Sequence, residues 1–219
     1  GCVFQTKEAQ EWFPKKLQKK SKIIYNAVKE DFYRIERKPN RGEIVTCGRL
    51  TEQKNHALLI SAFADVVKQY PYATLKIYGE GVLQNTLQEQ IDALGLQNKV
   101  FLMGVTDDVE KVLKTADLFV LSSDHEGMPN ALMEAMAAGV PCISTDCPCG
   151  GPRELFGESL KQKLIPCHDA GLMVAKICEF LESAETGLLE KKCAEVFQPQ
   201  NVNAVWKKYL QEIIDKKSR

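Results

Sequence analysis

Four side chains in this 219-residue chain stand at spacings that suit a phosphorylated ligand: Arg49, Lys54, Glu126 and Glu134. In "GRLTEQKN" (48–55), Gly48 and Arg49 close an apolar run and Lys54 opens the helical pattern that follows. Two cations at a helix start add to the pole that already draws anions. Arg offers a planar fork and Lys a point charge, a pair suited to a diphosphate more than to a lone carboxylate. The competing reading is a pair of surface charges. In "DHEGMPNALMEAMAAGVP" (124–141), Gly127 permits close backbone approach and Pro129 fits a first helical turn. The amides of Asn130, Ala131 and Leu132 then point outward without internal partners, which makes a phosphate cradle. Glu134 lies in the second turn, and helical side chains lean toward the amino terminus, so its carboxylate approaches the ligand beside the phosphates. An acid there makes sense as an acceptor from a neutral diol, as in dinucleotide folds that hold ribose. By the same logic Glu126, in the loop before the helix, faces a second set of hydroxyls. Diol, diphosphate and hydroxyls together describe a nucleotide sugar.

Other readings of these residues stand beside that one. Glu134 also fits a partner of the helix dipole. Two carboxylates also suit glycoside hydrolysis, which needs them roughly 5 to 9 Å apart across a sugar. "GEG" (79–81) is a turn, not a full dinucleotide fingerprint. Asp107 and Asp108 resemble a metal-binding pair but sit where a helix start wants acidic caps. His125 is read as a loop histidine that could donate to a sugar hydroxyl, and His56 as part of a helix start.

The elements that position these residues follow from alternation. The runs 43–48, 73–79, 99–104, 117–123 and 140–145 are apolar, and four of them lack strict alternation, as strands buried on both faces do. Between them Leu58, Leu59, Ala62, Phe63, Val66 and Val67 keep helical spacing, as do Leu83, Leu87, Ile91 and Leu94. Repeated strand and helix predicts an α/β fold with a doubly wound parallel sheet, since parallel neighbours need a crossover. The glycines and polar residues fall after the strands, so they converge on the carboxyl edge where such sheets place ligands. Residues 1–40 fit this pattern poorly: "GCVFQT" reads as a strand without its sheet, "KEAQEWFPKKLQKK" as a helix, "KIIYNAV" as a second strand, then a polar linker. The simplest account is the tail end of a preceding domain, followed by the nucleotide-sugar domain over 41–200 and a closing helix over 201–219. In that helix Val205, Tyr209 and Ile213 form an apolar stripe that needs a surface to cover.

Bulk composition narrows the classes. Lys plus Arg and Asp plus Glu balance at 29 each, so there is no global field for nucleic acid or an anionic membrane. Lys15, Lys16, Lys19, Lys20 and Lys22 make a local exception, read as a solvated helix face or as a membrane or polyanion patch. No run reaches the ~20 apolar residues of a spanning helix. Of eight cysteines, Cys47, Cys142 and Cys178 lie in apolar runs, and Cys147 with Cys149 lacks zinc-knuckle spacing, so reduced thiols are expected rather than metal ligands.

The segments "GRLTEQKN", "IYGEG", "FLMG" and "DLFVLSSDHEGMPNALMEAMAAGVPCISTDCPCGGPREL" resemble the carboxyl-terminal, donor-binding half of retaining glycosyltransferases of the GT-B fold. These are the group 1 (family 4) type, which includes glycogen and sucrose synthases and many bacterial polysaccharide enzymes. Its E-x7-E signature is met by Glu126 and Glu134. The resemblance implies that Arg49 and Lys54 grip the diphosphate, that Glu134 binds ribose, and that Glu126 lies at the donor sugar. Gly48, Gly127, Met128, Pro129 and the 130–132 amides then line the donor, with Val105 passing the base through its backbone. Arg49, Lys54 and Glu126 are the expected catalytic groups. It further implies a UDP-sugar donor, transfer of a hexose or N-acetylhexosamine to a glycan or lipid-linked acceptor, and a cytoplasmic location at the inner face of the cell membrane. No cofactor or catalytic metal is expected, because helix ends and cations offset the leaving diphosphate's charge. The acceptor belongs to an amino-terminal domain of which this chain carries at most the last strand and helix, so turnover by the fragment is expected to be poor or nil. A nucleotide-sugar epimerase of the same architecture and a non-catalytic nucleotide-binding module remain the alternatives.

Overall fold

The computed structural model describes residues 1–183 and 185–217. The chain opens with β1 (Cys2–Phe4), α1 (Lys7–Glu11), α2 (Lys15–Gln18), β2 (Ser21–Ile23) and α3 (Glu30–Tyr33). The alternation that follows runs β3 (Glu43–Cys47), α4 (His56–Gln69), β4 (Thr74–Tyr78), α5 (Gln84–Ala93), β5 (Val100–Gly104), α6 (Val109–Thr115) and β6 (Leu118–Leu121). It continues through α7 (Asn130–Ala137), β7 (Cys142–Thr145), α8 (Gly151–Phe156), β8 (Leu164–Ile165), α9 (Ala170–Glu182) and α10 (Leu188–Ala194), and closes with α11 (Pro199–Lys217).

Six parallel strands form one sheet in the order β5-β4-β3-β6-β7-β8. From β3 the chain winds outward through β4 and β5, then returns to β6 on the other side of β3. That reversal opens a crevice outside the carboxyl ends of β3 and β6, the place where open sheets of this kind bind ligands. One face of the sheet is covered by α3, α6, α7, α8 and α10, whose Phe32, Leu113, Leu132, Met136, Phe156 and Ala194 share a core with Val45, Phe119 and Leu121. The other face is covered by α4, α5 and α9, through Leu59, Phe63, Leu87, Ile91, Met173 and Ile177 against Ile44, Leu75 and Val120. The helical stripe of α4 is buried as its spacing requires, ending at Val66.

Several sequence expectations are corrected. The basic amino-terminal helix is two short pieces, because Pro14, extended at ψ 142°, cannot continue α1 and instead precedes α2. The first strand is not unpaired: β1 and β2 form a parallel two-stranded sheet apart from the main one. The polar linker contains α3 and is pinned by Arg37, whose half-buried guanidinium donates to the carbonyls of Gly139 at 2.7 Å and Ala116 at 2.6 Å. β5, an apolar run in sequence, is an edge strand that leaves Phe101 and Met103 exposed. Leu94 is exposed too, because α5 has already ended before the left-handed Gly95. In α11 the covering stripe is Val202, Tyr209 and Ile213, packed on Ile24 and Val3, while Val205 faces outward. The Tyr209 hydroxyl donates to the Cys2 carbonyl at 3.1 Å, so the closing helix does cover the β1–β2 unit. Among the described residues no helix is long and apolar enough to cross a membrane.

Candidate functional site

β3 ends at Cys47 and hands the chain to Gly48, Arg49 and the buried Leu50, then to a 3₁₀ turn over Glu52–Lys54. Gly79, at the end of β4, has φ 143°, and a Cβ there would stand 2.0 Å from the Gly48 carbonyl oxygen, so only glycine lets the two strand ends meet. Asn55 is left-handed (φ 44°), which asparagine tolerates, and its carboxamide oxygen caps α4 by accepting from the Leu58 amide at 3.2 Å. β6 ends at Leu121 and feeds the second loop, Ser122–Pro129.

Five hydrogen bonds tie these two loops across the crevice. The Asp124 amide donates to the Gln53 carbonyl at 2.8 Å, and the Gln53 side chain donates to the His125 carbonyl at 2.9 Å. Ser122 Oγ donates to the Lys54 carbonyl and Asn55 Nδ2 to Asp124 Oδ1, each at 2.9 Å. The fifth joins two site residues: the Lys54 ammonium donates to Glu126 Oε1 at 2.5 Å, with side chains 16% and 8% exposed. Ser123 Oγ donates to the same oxygen at 2.7 Å. Lys54 and Glu126 thus form one buried unit. Arg49 differs. It is exposed, and its guanidinium has no partner among the described residues.

α7 begins at Asn130, one residue later than a proline in its first turn would place it, with Pro129 as the residue that precedes it. The amides of Asn130, Ala131 and Leu132 meet no acceptor among the described residues. The Leu132 and Met128 side chains are buried in the core, which leaves only their backbone for a ligand. Glu134 is half-buried, and its carboxylate makes no hydrogen bond among the described residues. Burial raises its pKa from the ordinary value, an effect that the charge of Lys29 partly offsets. Its own charge, after burial, helps push Cys47 up to about 12, which sets the carboxylate against the end of β3. Val105 stands exposed just past the end of β5, where Gly104 bridges Gly79.

Sequence reasoning missed several residues here. Ser123, Gln53 and Asn55 hold the site through bonds between loops distant in sequence, a relation no local motif encodes. Gly151 is another: its Cβ would stand 1.6 Å from the Gly127 carbonyl oxygen, whereas a Cβ at Gly127 would meet nothing within 4 Å. The indispensable glycine of that contact is therefore Gly151. The start of α8 is also held by the amino-terminal segment, where Thr6 Oγ1 donates to the Cys149 carbonyl at 2.8 Å. Glu8 accepts from the Cys149 amide at 3.1 Å and pairs with Arg153 at 3.1 Å. Asn26 Nδ2 donates to Asn130 Oδ1 at 2.9 Å, above the α7 amides.

The remaining candidates resolve structurally. Asp108 caps α6 by accepting from the Lys111 amide at 2.9 Å. His56 opens α4 buried, its ring set against the Gly48 and Arg49 backbone, and burial lowers its pKa to about 4, so it is neutral at pH 7. His125 is exposed. The cysteines are all free thiols.

Comparison with known proteins bears on the arrangement as a whole. The family model described as "Glycosyl transferases group 1" matches residues 28–195. An uncharacterized glycosyltransferase of Methanocaldococcus jannaschii is 47% identical over 116 residues, covering 53% of this chain and 28% of that protein. A Campylobacter jejuni enzyme is 37% identical over 170 residues, covering 75% of this chain and 45% of its own length. Its name is N-acetylgalactosamine-N,N'-diacetylbacillosaminyl-diphospho-undecaprenol 4-alpha-N-acetylgalactosaminyltransferase. The chain therefore spans less than half of either relative. Among solved structures, the pneumococcal O-GlcNAc transferase GtfA in complex with UDP and GlcNAc superposes with a TM-score of 0.82 at 22% identity. The match covers 97% of this chain and 45% of that one, and it shows the fold.

Proposed function

Because the chain belongs to the group 1 glycosyl transferases, we propose that it binds the nucleotide-diphospho sugar donor, a UDP-sugar, for retaining transfer of a hexose or N-acetylhexosamine. The observation that carries this reading is the charge pattern of the crevice. Among the described residues a cation without a partner (Arg49), three amides without acceptors (130–132), a paired carboxylate (Glu126) and one without a hydrogen bond (Glu134) converge on the carboxyl edge of one sheet. The cations and amides suit a diphosphate, and they stabilise charge as it develops on the leaving group. Glu134, half-buried without a hydrogen bond, suits the ribose diol. Glu126 suits the sugar that is moved. The pneumococcal O-GlcNAc transferase of the same fold, in complex with UDP and GlcNAc, supports UDP as the nucleotide.

The acceptor, a glycan or lipid-linked saccharide, would be met by the part of such proteins that this chain does not span, since its matches cover 28% and 45% of the two relatives. A peripheral position on the inner face of the cell membrane fits the exposed Trp12 and Phe13 beside Lys15, Lys16, Lys19, Lys20 and Lys22. The test is a thermal-shift panel of UDP, GDP and ADP sugars, because a ligand that binds only the native state raises its melting temperature. A UDP-sugar should give the largest shift. A panel without any shift would overturn donor binding.

A further inference from the structure

Glu126 is nearly buried, yet its two oxygens are treated differently. Oε1 accepts both the Lys54 ammonium, at 2.5 Å, and the Ser123 hydroxyl, at 2.7 Å. Oε2 accepts from no group among the described residues and is not sealed from solvent. Ser123 is itself fully buried, and its backbone is anchored where its carbonyl accepts from Thr145 Oγ1, at the end of β7, at 2.5 Å. A carboxylate held at one oxygen by two donors has its rotation fixed, and its second oxygen becomes one aimed acceptor. We propose that Ser123 is a positioning residue that presents Glu126 Oε2 to a hydroxyl of the transferred sugar, so that it governs recognition of the sugar and not of the nucleotide.

The inference rests on the donor-binding reading above. Lys54 has two further N–H bonds for phosphate while the third holds Glu126. Ser123 has one hydroxyl hydrogen, and it is committed to Oε1. Removing that hydroxyl leaves Lys54 and the α7 amides in place for the diphosphate but frees the carboxylate to turn.

The experiment is calorimetry on the whole chain with the nucleotide sugar that shifts it most and with the matching nucleoside diphosphate. Ser123→Ala should weaken the nucleotide sugar about tenfold, the effect of one hydrogen bond to a charged group, and the nucleoside diphosphate less than twofold. In a Glu126→Gln background the same substitution should add no further loss, because its only route to the sugar has gone. Ser123→Cys keeps the volume with a weaker donor and should fall between, and it carries the comparison if the alanine variant does not fold. Equal losses for both ligands, or an undiminished effect on top of Glu126→Gln, would overturn the proposal while leaving donor binding intact. A wild-type chain that binds no nucleotide would overturn both.

Discussion

Replacing Arg49 and replacing Lys54 should weaken the same ligand but have unequal consequences for stability, although the two cations lie five residues apart in one motif. Arg49 is exposed and unpaired among the described residues, so Arg49→Ala should change unfolding free energy by less than about 0.5 kcal/mol. Lys54→Ala removes one partner of an ion pair whose carboxylate is 8% exposed. Orphaning a fully buried charge costs about 3–5 kcal/mol; the solvent still reaching this pair and the remaining bond from Ser123 reduce that to about 2–3 kcal/mol. For a domain of this size that is a loss of about 4–12 °C in melting temperature. Each variant should also lose about 1–3 kcal/mol of nucleoside diphosphate affinity, the range for a charge-assisted contact. Urea denaturation and calorimetry on both variants separate the two effects. Lys54→Ala with Glu126→Gln should recover most of the lost stability, since a neutral amide no longer needs the ammonium. Equal stability of Arg49→Ala and Lys54→Ala would refute the reasoning, because the Lys54–Glu126 contact would then hold nothing together in solution.

Glu134 should report through pH. Its folded pKa lies above the ordinary 4.5, so the native state binds the extra proton and stability falls as pH rises through that window. Glu134→Gln should therefore melt higher than wild type at pH 7, match it below about pH 4, and bind nucleotide more weakly at neutral pH. His56 runs the other way: with a folded pKa of about 4 against 6.5, the unfolded chain takes up the proton first and acid removes stability. About 3 kcal/mol should be lost between pH 6.5 and 4, and His56→Gln should flatten that part of a pH-dependent urea titration. Gly151→Ala should lower stability by about 1–3 kcal/mol and weaken nucleotide binding together, measured by melting and calorimetry, since its methyl group collides with the Gly127 carbonyl.

The parallel sheet was legible because β3, β6 and β7 are buried on both faces and lack a strict apolar–polar alternation, and the helical stripe between Leu59 and Val66 is regular. The carboxyl-edge position of Arg49, Lys54, Glu126 and Glu134 followed from that alternation. Strand order did not, since no residue records that β6 returns beside β3. β8 has two residues, too few for a period, and the exposed face of β5 depends on its place at the edge. Ser123 closes the run 117–123 and carries no signal of its own. Its role depends on Lys54, 69 residues upstream, and on Thr145, 22 residues downstream, meeting at one carboxylate and one carbonyl.

The contact of Gly151 with Gly127 joins two surfaces that seem to have separate duties. Cys149 and Arg153, on either side of that glycine, are held by Thr6 and Glu8, while Gly127 leads directly into the α7 amides. A ligand that pushed the Gly127 carbonyl toward Gly151 would press on the start of α8, where Thr6 and Glu8 hold it. Thermodynamic reciprocity makes the exchange symmetric: whatever factor the ligand imposes on the docking of residues 2–23, a load on those residues imposes on ligand affinity.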